Sequence, residues 1–182
     1  MPYFGLSVVL YDILIKAHPL NGVFMSASNF SSLPISRQQL EALEGLGFQR
    51  MTPVQAESLP LILARHDVII QAQTGSGKTA AFGIGLLNQL NPRFFGVQAL
   101  VICPTRELAE QVAQTIRQLA SRMANIKTVL LCGGKPFGPQ RDSLNHGAHI
   151  VVGTPGRIED HLKKRNLVLR GVQTFVLDEA DR

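Results

Sequence analysis

The sequence predicts an α/β fold in which a parallel sheet is sandwiched between helices. Short apolar runs alternate with longer stretches of helical spacing along most of the chain. The short runs are apolar throughout rather than at every second residue, as expected for strands whose two faces are both covered. Alternation of such strands with helices predicts parallel strands joined by right-handed crossovers.

Two helices are expected before this alternation begins. The first covers residues 38–43 and ends at Gly45 and Gly47, a typical C-terminal stop. The second follows Pro53 and places four side chains near one face, namely Val54, Ser58, Leu61 and Ile62. Strands are then expected at 68–71, 99–103, 128–132, 150–153 and 174–177. The intervening helices are expected at 77–90, 106–122, 139–145 and 156–164.

The composition is that of one folded domain with a basic second half. The chain has 182 residues, of which 45% are hydrophobic and 17% charged, so a sizeable core is available and disorder is disfavoured. The net charge is +5. Residues 1–90 hold five basic and five acidic side chains, whereas residues 91–182 hold thirteen and eight. A polyanion-binding surface and an ordinary solvated face are both compatible with this excess.

Cysteine usage and hydropathy predict a cytoplasmic protein. Cys103 and Cys132 lie in apolar runs, so both are expected to be buried and reduced. The five histidines show no spacing typical of a zinc site. No apolar stretch approaches the roughly 20 residues that a membrane-spanning helix needs. We therefore expect a protein that does not associate with membranes and that functions as a monomer.

Residues 1–25 are apolar and aromatic and differ from the rest of the chain. A signal peptide is disfavoured, because the start is not basic and because Asp12 and Lys16 interrupt the apolar run. We instead expect residues 1–25 to be a non-native or disordered extension, with Met25 as the natural start. Residues 26–182 would then form the domain.

A glycine-rich loop follows the first predicted strand and opens a helix. It comprises Ala72, Gln73, Thr74, Gly75, Ser76, Gly77, Lys78 and Thr79. The glycines let backbone N–H groups point at phosphate oxygens, and the helix adds the positive end of its dipole. Lys78 can reach the β and γ phosphates of a nucleotide, and the Thr79 hydroxyl can ligate Mg²⁺. A turn that binds nothing is disfavoured, because a lysine at a helix N-terminus is unfavourable without an anion.

Two carboxylates follow the last predicted strand. Asp178 would hold Mg²⁺ through water, and Glu179 would orient or deprotonate the water that attacks the phosphate. Such an acidic turn taken alone is more often structural. Together with the glycine-rich loop about a hundred residues earlier, it predicts a catalytic set of Lys78, Asp178 and Glu179, with ATP and Mg²⁺ as cofactors.

The run 178–181 and five further elements resemble the DEAD-box family of ATP-dependent RNA helicases. Residues 47–55 are similar to the Q motif of the family, with Phe30 as its upstream aromatic residue. The resemblance implies adenine recognition by Gln55, with Phe30 and Arg50 also in the nucleotide site. Residues 72–79 are similar to motif I, in which the family commonly has an alanine at the position of Ala72.

Three other elements are similar to the motifs that contact the RNA backbone in this family. They are residues 104–109, the glycine pair at 133–134 and residues 154–157. The resemblance implies an RNA-binding set of Pro104, Thr105, Arg106, Gly134, Thr154, Pro155, Gly156 and Arg157. Hydroxyls, guanidinium groups and glycines at strand ends suit phosphate and ribose contacts that carry little base information. Taken singly, each could be a helix cap, and the two arginines could pair with Glu107 or Asp160.

Residues 131–138 and 140–144 are similar to a bacterial branch of the family that acts on 23S ribosomal RNA during large-subunit assembly. The expected partner is therefore single-stranded RNA or a short RNA duplex, with 23S ribosomal RNA as the candidate target. The resemblance also implies a RecA-like P-loop domain that is truncated after motif II. The Ser-Ala-Thr motif and the second domain of the family are not in the chain, so we expect an ATPase that is nearly inactive by itself. A non-catalytic nucleotide- or RNA-binding module is the alternative.

Overall fold

The computed structural model describes the backbone of residues 7–10 and the whole of residues 29–180. A 3₁₀ turn at Phe30–Ser32 precedes α1. The helices are α1 Arg37–Gly45, α2 Pro53–Leu63, α3 Lys78–Gln89, α4 Arg106–Leu119, α5 Phe137–Asn145 and α6 Pro155–Lys163. The strands are β1 Ser7–Leu10, β2 Ala99–Ile102, β3 Thr128–Leu131, β4 Ile150–Gly153 and β5 Thr174–Leu177.

The strands form one parallel sheet in the order β1-β5-β2-β4-β3. Successive residues of β2 point to opposite faces, as the pleat requires. Val101 packs into a core with α1–α4, and Leu100 packs into a second core with Ile158 of α6. Both faces are therefore covered, which confirms the predicted α/β class and explains why the strands are apolar throughout.

The first two helices begin with the same side-chain arrangement. Ser36 and Gln39 form a capping box at the start of α1, and Thr52 and Gln55 form one at the start of α2. In each pair the hydroxyl accepts from the backbone N–H of the glutamine, and the glutamine accepts from the backbone N–H of the capping residue. Pro53 occupies the first position of α2, where its missing N–H costs nothing.

Two expectations about elements are wrong. Residues 68–71 do not form a strand, although Val68 and Ile70 are buried in the core. An apolar run becomes a strand only when a neighbour offers backbone partners, and the sheet described here pairs β5 with β2 and β1 instead. Leu61 does not share the inward face of α2, since it is exposed while Leu59 is fully buried. The other predicted helices and strands lie within three residues of their predicted bounds, and β1 was not predicted.

The predicted extension at residues 1–25 falls largely outside the described residues. Its segment Ser7–Leu10 pairs in parallel with β5. Both cysteines are buried and free, as expected, and burial raises the pKa of Cys103 to about 12, so its thiol is unreactive. No helix in the described ranges is long and apolar enough to cross a bilayer.

Candidate nucleotide and RNA site

The glycine-rich loop lies at the carboxyl edge of the sheet and leads directly into α3. Gly75 has a φ of +82° and Gly77 a φ of +95°, a left-handed backbone that glycine adopts without strain. The Lys78 ammonium folds back over the loop and donates to the carbonyl oxygens of Ala72 and Gln73. The Ser76 hydroxyl is buried and has no hydrogen-bond partner among the described residues. A polar atom left in this way is suited to meet a ligand oxygen.

The start of α2 packs directly against this loop. The Thr52 hydroxyl donates to the carbonyl of Ser76 at 2.8 Å, and the Gln55 amide donates to the carbonyl of Gly77 at 3.1 Å. A Cβ atom at Gly77 would lie 2.4 Å from the Gln55 amide nitrogen. Gln55 is 1% exposed. Gln55 thus supports the phosphate loop in the structure. The sequence did not predict this role for Thr52, because a threonine before a helix indicates only a helix cap.

Asp178 lies at the end of β5, close to the loop lysine. Its carboxylate is buried, and its backbone N–H donates to the carbonyl of Ile102 at 2.9 Å. Burial raises the pKa of Asp178, the neighbouring Glu179 raises it further, and the Lys78 ammonium opposes the rise. Glu179 is half-buried and has a φ of +50°. Asp181 lies outside the described residues.

The oxygen atoms near the loop suit a magnesium ion that is shared with a nucleotide. Mg²⁺ is commonly held by one or two protein oxygens, with phosphates and water supplying the rest. Thr79 in the first turn of α3 and Asp178 at the end of β5 are such a pair. A cation beside Asp178 would also offset the unfavourable burial of its charge. Among the described residues there is no group of three or more His, Cys, Asp or Glu side chains that could hold a metal ion.

The predicted adenine residues do not share one cavity. Phe30 is buried against Phe48, with ring centroids 6.1 Å apart in an edge-to-face arrangement. A cavity of about 470 Å³ opens beside this pair, and Leu40, Glu44 and Gln49 are among its other lining residues. Gln55 does not line it, and Arg50 is exposed. The adenine roles of Phe30, Arg50 and Gln55 stay predictions.

The predicted RNA residues lie together at the same carboxyl edge. The Arg106 guanidinium reaches the carbonyl of Gly133 at 3.5 Å and passes over Gly134, where a Cβ atom would lie 2.1 Å from its nitrogen. Gly134 has a φ of +76°. Arg157 donates to the carbonyl of Lys135 at 3.1 Å. Both arginines therefore meet at the loop after β3.

The alternatives left open by the sequence are resolved differently for each residue. Arg157 does approach Asp160, but at 3.9 Å this ion pair is long. The Thr105 hydroxyl accepts from the N–H of Leu108 and so caps α4, whereas the Thr154 side chain makes no capping bond at α6. Pro104 is half-buried, while Pro155 and Gly156 are exposed.

Two further residues shape this surface and were missed by sequence reasoning. Lys135 forms an ion pair with Glu110 of α4 at 2.5 Å. Gln140 is 7% exposed, and its amide donates to the carbonyl of Cys132 at 3.0 Å. The same amide makes longer contacts with the carbonyls of Lys135 at 3.5 Å and Pro136 at 3.4 Å. Gln140 thereby fixes the loop that carries Lys135. A buried glutamine leaves no periodic signal in the sequence, so only the packed structure reveals it.

Comparison with known proteins agrees with this geometry. Residues 52–182 match the DEAD/DEAH box helicase family, and the chain belongs to that family. Over 144 residues it is 60% identical to the ATP-dependent RNA helicase DbpA of Escherichia coli, an alignment that covers 79% of this chain and 32% of DbpA. The chain therefore spans about a third of the length of that relative.

Two solved structures share the fold. The crystal structure of a DEAD box protein from the hyperthermophile Methanococcus jannaschii has a TM-score of 0.81 and 43% identity, over 86% of this chain and 43% of that one. Dbp5 of S. cerevisiae bound to RNA and ADP BeF3 has a TM-score of 0.75 and 32% identity, over 85% of this chain and 39% of that one. These similarities confirm the predicted RecA-like domain and the resemblance to DEAD-box helicases.

Proposed function

We propose that the chain is the ATP-binding and RNA-contacting domain of an ATP-dependent RNA helicase. One observation carries this function. The buried Asp178 carboxylate and the Lys78 ammonium lie at the same sheet edge as Arg106 and Arg157. A phosphate-handling site and a cationic surface for a second polyanion are thus held by one rigid sheet, in the place where open α/β sheets bind ligands.

The residues of the loop divide the work of phosphoryl transfer. Backbone N–H groups of residues 72–79 bind the phosphates, and Lys78 leaves its carbonyl partners to neutralise the β and γ oxygens. Thr79 and Asp178 hold Mg²⁺, which when bound neutralises charge on the transferred phosphate. Glu179 orients the attacking water. Gln55 and Thr52 keep the loop in the binding conformation.

The arginine pair binds the RNA backbone. Arg106 and Arg157 rest on backbone carbonyls rather than on close carboxylates, so their charges remain available to phosphate. Thr154 and Gly134 allow ribose and backbone contact beside them. Binding of this kind is independent of base sequence and weakens as salt rises. Hydrolysis would drive unwinding of short duplexes when this domain is joined to a second RecA-like domain.

The similarity to DbpA supports the finer assignment. We take the biological target to be 23S ribosomal RNA during assembly of the large subunit, in the cytoplasm, with the protein acting as a monomer. The alternative of a non-catalytic nucleotide- and RNA-binding module describes what this chain could do by itself. A helicase domain and a non-catalytic module would bind the same ligands, and only the helicase would hydrolyse ATP.

The experiment compares this chain with a protein extended through a second helicase domain. We expect RNA-stimulated ATP hydrolysis in the extended protein alone, and we expect Lys78→Ala to reduce it by at least about 10³-fold, in the range of single groups in phosphoryl transfer. Lys163→Ala is the matched control, because Lys163 is exposed and pairs with Glu159 on α6. An extended protein whose ATPase is insensitive to RNA would overturn the helicase assignment. Brisk hydrolysis by the 182-residue chain would show that no second domain is needed.

A further inference from the structure

Two adjacent phenylalanines are held half in solvent at the amino edge of the sheet. Phe94 is 49% exposed and Phe95 is 50% exposed. They lie in the segment between α3 and β2, close to the residues that directly precede β2, β4 and β5 in the chain. The N–H of Gln98 donates to the carbonyl of His149, and the N–H of Gln173 donates to the carbonyl of Gln98. This edge is opposite to the one that carries Lys78 and Asp178.

The segment is fixed by a buried glutamine. Gln98 is 2% exposed, and its side chain accepts from the N–H of Asn91 at 2.8 Å. Its amide donates to the carbonyls of Asn91 at 2.9 Å and of Phe94 at 2.8 Å. Three hydrogen bonds from one buried side chain hold the loop in this shape. The exposure of the two rings is therefore part of the folded structure rather than the result of a loose loop.

Glycines make room for both aromatic residues. A Cβ atom at Gly171 would lie 2.7 Å from the Phe94 ring, and one at Gly147 would lie 3.1 Å from the carbonyl oxygen of Phe95. A Cβ atom at Gly96 would also lie 2.6 Å from the Phe94 ring, and the Phe95 ring packs against His149 with ring centroids 5.0 Å apart. Each phenylalanine thus contacts the protein while about half of it stays exposed. Isolated exposed apolar side chains are common, but two neighbouring rings fixed in this way form a patch of the kind that binds a partner.

Cations surround the patch. The Lys127 ammonium lies 5.6 Å from the centre of the Phe95 ring and donates to the carbonyl of His146 at 3.3 Å. Arg117 donates to the carbonyl of Thr128 at 3.1 Å. Lys127 and Arg117 both line an adjoining groove of about 730 Å³. Asp142, also in its wall, is paired with Arg141 at 2.9 Å.

Apart from Asp142 in the groove wall, the four segments that lie beside the patch carry no acidic residue. Residues 91–98, 125–128, 146–149 and 168–173 contain Arg93, Lys127 and Arg170 and no aspartate or glutamate. Arg93 precedes Phe94, and Arg170 precedes the glycine on which the Phe94 ring packs. A half-exposed aromatic ring with cations nearby is a combination that binds single-stranded nucleic acid, because bases stack on the ring while phosphates contact the cations.

We propose that the amino edge of the sheet is a second binding site for single-stranded RNA. A base stacks on the open face of Phe94, and the flanking phosphates are bound by Arg93, Lys127 and Arg170, with the Arg117 groove extending the track. This site goes beyond the proposed function, from which it takes only the identity of the ligand as RNA. It needs neither ATP nor the residues of the carboxyl edge.

The test measures binding of a fluorescein-labelled ten-nucleotide oligouridine to the chain by anisotropy, without nucleotide and over a range of KCl concentrations. We expect the triple variant Arg93→Glu/Lys127→Glu/Arg170→Glu to raise the Kd at least about 10-fold and to flatten the salt dependence by up to about two to three in slope. Arg37→Glu is the matched control, since the Arg37 side chain is 91% exposed on α1. A carboxyl-edge variant, Arg106→Glu/Arg157→Glu, reports separately on the other site.

A second variant tests the stacking. Phe94→Leu keeps apolar packing against Gly171 but removes the aromatic face, and we expect it to raise the Kd by about 5- to 100-fold. Photocrosslinking with 4-thiouridine should place a crosslink on the peptide containing Phe94. Binding that is unchanged in the triple variant overturns the proposal, and the patch would then be a protein-docking surface. If only the amino-edge variants weaken binding, the second site stands and the RNA contacts under the proposed function fail.

Discussion

Removal of the Gln55 side chain separates two roles for this residue. The resemblance to the family implies that Gln55 reads adenine, whereas the structure shows its amide bonded to Thr52 and to the carbonyl of Gly77 in the phosphate loop. In Gln55→Ala both partners are left without this side chain. We expect a loss of stability together with weaker binding of every nucleoside triphosphate, because the loop that grips the phosphates loses its support.

The magnitude follows from the two lost hydrogen bonds. Disruption of the capping box at α2 costs about 0.5–2 kcal/mol. The Gly77 carbonyl keeps its hydrogen bond from the N–H of Ala81, so loss of the bond from Gln55 adds about 0.5–1.5 kcal/mol. The sum is roughly 1–3.5 kcal/mol, which for a domain of this size lowers the Tm by about 2–14 °C. Urea unfolding and a thermal melt measure this directly.

A matched control is available in the same chain. Gln39 occupies the equivalent position of the α1 capping box, is 2% exposed, and donates to the carbonyl of Ile84 in α3 rather than to the phosphate loop. Gln39→Ala should lower the free energy of unfolding by a similar amount, while the affinity of the fully folded variant for nucleoside triphosphates stays unchanged. The comparison therefore separates a general loss of stability from loss of loop support.

The assay is calorimetric titration of ATP and GTP into both variants at a temperature where each is folded. If Gln55 supports the loop, the affinities for ATP and GTP fall by the same factor. If Gln55 recognises the base, the affinity for ATP falls while that for GTP does not, and the stability of the protein barely changes. The second pattern would refute the argument made from the hydrogen bonds of Gln55.

Three further outcomes follow from buried groups. Burial raises the pKa of Asp178, so the native state binds this proton more tightly than the unfolded state does, and stability falls as pH rises from the unfolded to the native pKa. Asp178→Asn should therefore raise the Tm at pH 7 and abolish the extra stabilisation that Mg²⁺ with ATP provides. An unchanged Tm at pH 7 would contradict this. Burial lowers the pKa of His161, whose ring nitrogens have no hydrogen-bond partner among the described residues, so stability is lost as pH falls below about 6.5. Urea unfolding at pH 5 and pH 7 should show a smaller loss of stability in His161→Phe than in the wild type. Gly153→Ala would place a Cβ atom 2.3 Å from the backbone oxygen of Leu131 and should cost about 3 kcal/mol, so a melt like that of the wild type would show that β3 shifts freely.

Much of the fold could be predicted from the sequence because it depends on local patterns. The all-apolar runs mark strands with two covered faces, and the end of the helix at residues 37–45 is marked by Gly47, which has a φ of +81°. Residues 68–71 carry the same kind of pattern and still form no strand. Strand formation depends on a neighbouring backbone far away in sequence, and no local property of the run encodes that neighbour.

The candidate site was predicted where backbone chemistry forces residue choice. Gly75 and Gly77 are needed for a left-handed backbone, so the phosphate loop is visible in the sequence. The glutamines that hold loops in place are less visible. Gln55 bonds to the carbonyl of Gly77 in the phosphate loop, Gln98 to that of Phe94 before β2, and Gln140 to that of Cys132 after β3. Their partners are fixed by tertiary packing, and a glutamine in a helix or at a strand start is equally compatible with an exposed position.

The arginines of the carboxyl edge are held mainly by backbone carbonyls, which the sequence did not predict. For Arg106 and Arg157 the open alternative was pairing with Glu107 or Asp160, but the guanidinium groups rest chiefly on the carbonyls of Gly133 and Lys135.

Lys78 likewise rests on the carbonyls of its own loop. A carbonyl is a neutral acceptor, and a phosphate oxygen that replaces it forms a charge-assisted bond roughly twice as strong. Lys135, in contrast, must leave the Glu110 carboxylate at 2.5 Å before it can serve a phosphate. Arg106 and Arg157 are therefore held chiefly by neutral acceptors, with Asp160 no closer than 3.9 Å to Arg157. Exchange to phosphate should cost them less than it costs Lys135, so the salt dependence of RNA binding should follow the arginine pair.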